Sequence, residues 1–542
     1  MTDLLAESAP HLPTAPRASA NEARLAGAVA AAVALGVGEL VTGLGGSSQS
    51  LIGSVGNGFI QQSGGDLART AIRLFQTADK PALITGIVVI SLAIGAALGV
   101  AARRRRWVGV LGFVAFGVVG VAAAARDPLA STGRAAVGAT VAVAAGLGTL
   151  TLLLRLAASS HAVTPSSPPA RRDTPTSPHA SRRAFFGWSA AAGAFAATAA
   201  VAGRTAMRGT ANAARAAIRL PAPTNRAVPP GSPAALQGPG VAPFEIDGLT
   251  PYLVANHAFY RIDTALVVPN VDPDTWSLKV SGLVDRPFEL TFAELLAMDQ
   301  VEEAVTLSCV SNEVGGNLVG NALWQGVPLR TLLQRAGVQP GASQVVGRSV
   351  DGFTAGFPTA ALDGDRTAMV ALGMNGEPLP VVHGFPARLV VAGLYGYVSA
   401  TKWLGEIRLT TLDDFDGYWI PRGWSKDGPI KTESRIDVPA NGALLQAGTL
   451  PIAGVAWAPG PGRGVVKVEV QVDDEPWREA TLGPVLSGNT WRQWMVAWNA
   501  TPGTHTLQVR ATDGTGETQT EEQAPPEPDG ASGWDSHRVK VS

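Results

Sequence analysis

Cysteine is nearly missing from this chain: 542 residues contain one, Cys309. A lone thiol closes no internal disulfide and builds no four-thiolate zinc or iron–sulfur site. It can still serve as a nucleophile, or as the single protein ligand of a metal held mainly by a cofactor. Histidine is scarce as well. His11, His161, His179, His257, His383, His505 and His537 all fall outside the long apolar runs. A membrane haem takes its axial histidines from the spanning helices, so no haem is expected there. No Cys-x-x-Cys or His-Glu-x-x-His occurs. A net charge of −1 gives no reason to expect a nucleic-acid partner.

That near-neutral total hides a split. The first 210 residues hold 18 Lys+Arg against 8 Asp+Glu, and the remainder holds 24 against 35. The two parts therefore live in different settings. Apolar residues crowd the first part, in runs over 25–44, 82–102, 107–125 and 135–157. Each approaches the ~20 residues that a spanning helix needs. A fifth run, Ala184–Ala202, is Ala-rich and only mildly apolar. Basic residues set the orientation. Arg17 and Arg24, the Arg103–Arg106 tract, and Arg171, Arg172, Arg182 and Arg183 all fall on one side of a five-span helical domain. With that side cytoplasmic, a multi-pass protein of the cytoplasmic membrane results, in contact with membrane lipid, its C-terminal half extracytoplasmic.

Ser181-Arg-Arg-Ala-Phe-Phe186 before the weak fifth run resembles a twin-arginine export signal, kept here as an anchor. Glu39, inside the first run, is either a functional intramembrane acid or the partner of a neighbouring helix. Residues 45–80 read as an outer loop with short helical pieces. Composition gives the divisions: a four-span domain over 1–158, a Ser/Pro-rich linker over 159–181, the fifth span over 182–203, and a Pro/Gly-rich tether over 204–243.

From Phe244 the chain reads as soluble. Trp276–Gly282 alternates like a strand, Thr291 caps a short helix running to Met298, and Val327–Arg335 is amphipathic with Gly337 as its stop. Strands and helices mix without regular βαβ alternation, which makes 244–436 an α+β domain. Val465–Val472 and Thr506–Ala511 have period two, and 437–542 reads as a β-sandwich.

Several separated motifs carry a family resemblance. They are Asn256-His-Ala-Phe-Tyr-Arg-Ile-Asp263, Cys309-Val-Ser-Asn312 followed by Trp324-x-Gly-Val-Pro-Leu329, Met374–Gly393 with its His383-Gly-Phe-Pro, and Lys402-Trp-Leu404. In this order they resemble the sulfite oxidase family of molybdopterin enzymes, in its membrane-anchored prokaryotic branch. The resemblance implies a molybdenum–molybdopterin cofactor with Cys309 as the metal's protein ligand. It places His383, Arg388 and Lys402 on the pterin phosphate, where a planar fork and a point charge suit an anion. Asn256, His257, Tyr260 and Asn312 join the cofactor set. It further implies an immunoglobulin-like C-terminal domain through which two copies dimerise. With no haem or iron–sulfur motif in the chain, a separate electron-transfer partner follows.

One departure bears on the small-molecule substrate. Sulfite oxidases place an arginine four residues after the cysteine, where this chain has Glu313. A carboxylate there disfavours a sulfite anion. Phe353 stands where the family has a substrate-side tyrosine, and Tyr395 and Tyr397 complete the expected entrance. Oxygen-atom transfer with reduction of a sulfoxide or N-oxide is the expected reaction. Oxidation of a small anion is the second reading, and a metal-free binding or sensory module on the same fold the third.

Overall fold

The computed structural model describes residues 17–45, 49–62, 79–159, 178–225, 244–485 and 487–542. Most of the expected linker (160–177) and the Pro/Gly-rich part of the expected tether (226–243) lie outside the described residues. The chain divides into two compact units, Met1–Gly209 and Thr210–Ser542.

The first unit is helical: α1 (Ala20–Leu44), α2 (Leu51–Gln62), α3 (Asp79–Arg104), α4 (Arg106–Ala124), α5 (Thr132–Ser159) and most of α6 (Pro178–Ala217). Five of these, all but α2, are long and apolar enough to cross a membrane, and each expected run falls within one to a single residue, the run over 107–125 passing the end of α4 at Ala124. Ser19 and Glu22 start α1 with a reciprocal capping box. Glycines set its packing. A Cβ on Gly27 would lie 2.0 Å from the Gly95 carbonyl oxygen, and one on Gly99 2.0 Å from that of Ala23. Side chains this small let α1 and α3 touch backbone to backbone, which is how helices associate where no hydrophobic effect drives them. Gly43 and Gly203 repeat the device between α1 and α6. Glu39 is buried and pairs with Arg204 at 3.3 Å, so this acid has a partner on a neighbouring helix.

Helix α6 runs on to Ala217, through the first part of the segment read as an irregular tether. Residues 204–217 are rich in alanine and hold no proline, and alanine's propensity keeps them helical.

The second unit is built on sheets. One has β2 (Phe288–Thr291), β1 (Ser277–Gly282), β10 (Leu404–Thr410), β5 (Gln344–Ser349) and β6 (Thr354–Pro358) in that order, with β1 and β10 parallel. The other has β3 (Val301–Ser308), β4 (Val319–Pro328), β7 (Ala368–Met374) and β8 (Glu377–Pro378), and β9 (Arg388–Val391) also pairs with β7. Between them lie α7 (Phe292–Leu296), capped by Thr291 and Glu294, and α8 (Leu329–Ala336), closed by Gly337 at φ +68°. Both match the sequence reading, but the helices are short, and this α+β region is dominated by strands.

The C-terminal residues form two facing sheets around one core of Val468, Val470, Trp494 and Leu507. In one, β11 (Glu433–Val438), β13 (Gly448–Trp457), β17 (Arg492–Ala500) and β16 (Thr481–Leu482) are neighbours. In the other the order is β12 (Leu444–Leu445), β19 (Asp535–Val541), β18 (Gly503–Asp513), β14 (Val465–Val472) and β15 (Arg478–Glu479). The boundary expected at 436/437 falls inside β11. Packing explains the miss: Trp457 and Trp491 belong to the core of the preceding region, and the Trp491 indole donates to the Tyr252 carbonyl at 2.8 Å. A seam this apolar leaves no linker to read.

Candidate active site

Cys309 follows the last residue of β3. Its backbone N–H donates to the Leu318 carbonyl, and the N–H of Asn312 donates to its own carbonyl at 3.0 Å. The turn is thus fixed on both sides, with the thiol 2.9 Å from the Ser311 hydroxyl. Burial pushes the thiol up, while Ser311 and the Lys402 charge pull the other way. A Cys309 thiolate would in turn raise the hydroxyls of Tyr260 and Tyr395, although burial is the larger cause for both. The thiol therefore shares one electrostatic neighbourhood with Lys402, Tyr260 and Tyr395.

His383, Arg388 and Lys402 lie close together, and all three are buried. Arg388 opens β9; its Nη1 donates to the His383 carbonyl at 3.2 Å and its guanidinium lies 4.9 Å from the Trp324 ring centroid. Burial lowers it to about 10, against a smaller opposing effect from Tyr260. Lys402 is held at 3.2 Å by Asp263, yet burial, with Arg388 and Arg261 nearby, brings it down to about 8. His383 pairs its Nε2 with the Asn256 carbonyl at 2.8 Å, while its Nδ1 is buried without a partner. Burial first, then Lys402 and Arg388, push it down to about 4, so it is neutral at pH 7. Gly384 sits at φ +114°, and a Cβ there would lie 3.1 Å from the Arg388 Cβ and 3.2 Å from the Lys402 Cα.

A phosphorylated pterin fits this donor set. Of the two buried cations, Lys402 shares the Asp263 carboxylate with the part-exposed Arg261, while Arg388 forms no ion pair among the described residues and donates to carbonyl oxygens. With Nε2–H donating to the Asn256 carbonyl, the unpartnered Nδ1 of the neutral His383 ring is an acceptor that a protonated group of an incoming ligand can satisfy. An anion would compensate the excess charge, which in a buried place is otherwise costly.

Other expected residues stand differently. The Asn256 side chain is taken up by Met374, Asn375 and Glu377, and only its carbonyl reaches His383. His257 and Glu313 are exposed. Phe353 packs tilted against Tyr418, with ring centroids 5.7 Å apart, and Tyr397 likewise against Trp424 at 5.8 Å. Trp419 lies between them, 5.1 Å from Tyr418 and 6.4 Å from Trp424. Phe353 and Tyr397 are thus two ends of one aromatic wall. Tyr397 sits on α9 (Gly396–Ser399), whose first residue abuts the Ser308 carbonyl beside Cys309.

Sequence reasoning missed Asp263 as the partner of Lys402 and Arg261, although it closes the quoted 256–263 segment. It missed Tyr418, Trp419 and Trp424, whose clustering in sequence was the available signal. It also missed Glu433, which no local motif marks.

Residues 265–419 match the family described as an oxidoreductase molybdopterin binding domain. An uncharacterized oxidoreductase of Bacillus subtilis, YuiH, is 35% identical over 157 residues, 29% of this chain and 76% of its own length. Mouse mitochondrial sulfite oxidase is 30% identical over 273 residues, 43% of this chain and 49% of its own length. A nitrate reductase of rice is 31% identical over 285 residues, 41% of this chain and 31% of its own length. The chain belongs to the sulfite oxidase family of molybdopterin oxidoreductases. It spans about half the length of the mouse sulfite oxidase.

Proposed function

We propose that this chain is a membrane-anchored molybdopterin oxidoreductase that transfers an oxygen atom between a small molecule and molybdenum, in the direction of sulfoxide or N-oxide reduction. The observation that carries the reading is the buried cationic pocket of Arg388, Lys402 and neutral His383 beside the single cysteine. When bound, the cofactor supplies the two-electron, oxygen-accepting chemistry. The chain's residues do the rest. Cys309 offers a soft thiolate to a metal already bound by sulfur. Arg388 and Lys402 hold the phosphate end, His383 offers its Nδ1 to a protonated phosphate oxygen, and Asp263, itself held by Arg261, positions Lys402. Phe259, 5.6 Å from His383 and 5.8 Å from Trp324, gives the pocket an apolar side.

The direction rests on Glu313. A relative named for oxidising sulfite and one named for reducing nitrate stand at similar identity, so family membership leaves the direction open. Glu313 is exposed four residues past Cys309, and a carboxylate there favours neutral substrates over anions. The wall from Phe353 to Tyr397 suits a substrate with an apolar body. A separate electron donor, export through the twin-arginine-like segment, an extracytoplasmic catalytic domain and dimerisation through an immunoglobulin-like C-terminal domain complete the proposal.

The test is a substrate panel for the purified full-length holoenzyme. With a reduced viologen as donor, neutral sulfoxides and N-oxides should turn over faster than sulfite is oxidised with a ferricyanide acceptor. Glu313→Arg should move that ratio about tenfold or more toward the anion. Faster sulfite oxidation by the unaltered protein would overturn the direction.

A further inference from the structure

Behind Cys309 lies an acid that the cofactor pocket does not use. Glu433 opens β11 and is 3% exposed. Its Oε2 is 3.5 Å from the Asn312 Nδ2, and Asn312 is tied to the Cys309 carbonyl through its own backbone N–H. Its Oε1 is buried with no hydrogen-bond partner. Tyr395 is the second neighbour. That ring is buried, and its hydroxyl feels the charge of both Glu433 and Cys309. Lys431, two residues before Glu433, spends its ammonium on Asp529 at 2.9 Å and on the Gly530 carbonyl at 2.6 Å. Among the described residues no basic side chain forms an ion pair with Glu433. Burial pushes its carboxyl up to about 8, against Asn312, Lys431 and Tyr395 acting the other way, so the group is protonated at neutral pH.

We infer that Glu433 holds a proton for the reduction, delivers it toward the Cys309 side through Tyr395, and reloads from solvent. This rests on the reading of the chain as a reductase of an oxygenated small molecule. Such a reduction breaks one S–O or N–O bond. It takes an electron pair from the external electron donor by way of the cofactor, and two protons, and releases the reduced substrate and water. Glu433 supplies one proton: the Tyr395 hydroxyl gives its proton inward and takes the one from Glu433. The second proton comes from solvent at the entrance. An open cleft lined by Ser425, Lys426, Asp427, Pro429, Lys431 and Asp529 reaches Lys431, two residues from Glu433. Because Glu433 acts through Tyr395, it is a positioning residue for the proton and does not touch substrate. A group that titrates near the working pH is the efficient choice for this task.

The test uses the full-length holoenzyme and its Glu433→Gln variant, which keeps the shape and the Asn312 contact. Infrared spectra of the unaltered protein should show a carboxylic-acid band at pH 6 that fades as pH rises through about 8 and is absent from the variant. Turnover of a sulfoxide should fall over the same pH interval. In Glu433→Gln it should be about tenfold or more slower, without that limb, at unchanged molybdenum content. A variant with the original rate and pH profile overturns the inference, as does an unaltered protein lacking the band. If the variant takes up no molybdenum, the unaltered protein decides: band and rate must titrate together, and a rate flat from pH 6 to 10 overturns the inference. Absence of molybdenum from the unaltered protein sinks the functional reading instead, while the band remains readable.

Discussion

Gly384 shows how one residue's backbone can serve a site. Its φ of +114° is a conformation that side-chain-bearing residues rarely adopt, and its missing Cβ lets Arg388 and Lys402 close on the turn after His383. Gly384→Ala should cost about 1–3 kcal/mol of stability and lower cofactor content in the folded protein. Molybdenum per chain beside the thermal midpoint checks both. Glu433 makes a second prediction through linkage. Its carboxyl titrates near 8 when folded, well above the ordinary 4.5. Between those values the unfolded chain has lost the proton that the folded chain keeps, so stability falls as pH rises and levels off above about 8. The loss attributable to Glu433 is about 1.4 kcal/mol per pH unit for one proton. Glu433→Gln should be free of this component. Denaturation midpoints of the two proteins should separate between pH 6.5 and 8, the unaltered protein falling relative to Glu433→Gln as pH rises; parallel curves would contradict it.

Elements were legible where their signals are local. Thr291 with Glu294, Gly337 after α8, and the strict alternation of Val465–Val472 each sit within a few residues and were readable as a cap, a stop and a strand. The convergence of His383, Arg388 and Lys402 was legible through family motifs, since nothing in their spacing brings them together. Long-range packing was not legible. Strand β11 crosses the expected domain boundary because Trp457 and Trp491 pack into the core on its other side. Glu433 has no signal at all in sequence, because its burial comes from Asn312 and Tyr395, far away in the chain. The helices offer a test at this scale. Gly99→Leu would place a side chain where the Ala23 carbonyl oxygen already lies, 2.0 Å from the new Cβ. Separation of α1 from α3 should then cost about 1–3 kcal/mol, seen as earlier unfolding of the helical unit in mixed micelles with increasing denaturing detergent.

At the scale of the molecule, an apolar helical unit and a strand-rich molybdopterin unit share one chain. The Pro/Glu-rich segment Gln519–Gly530 folds back onto its own chain. The Pro528 carbonyl accepts from the Ser425 N–H at 3.0 Å, and Asp529 holds Lys431. The C-terminal sheets contribute Glu433 to the surroundings of Asn312, three residues from Cys309. All of this turns on whether the pocket holds its metal. The most direct measurement is the molybdenum content of the purified full-length protein, made in cells that synthesise the cofactor, beside Cys309→Ala. The account predicts about one molybdenum per chain, and a changed metal spectrum or lost metal in the variant. Folded protein without molybdenum, or a metal spectrum indifferent to Cys309, would contradict it.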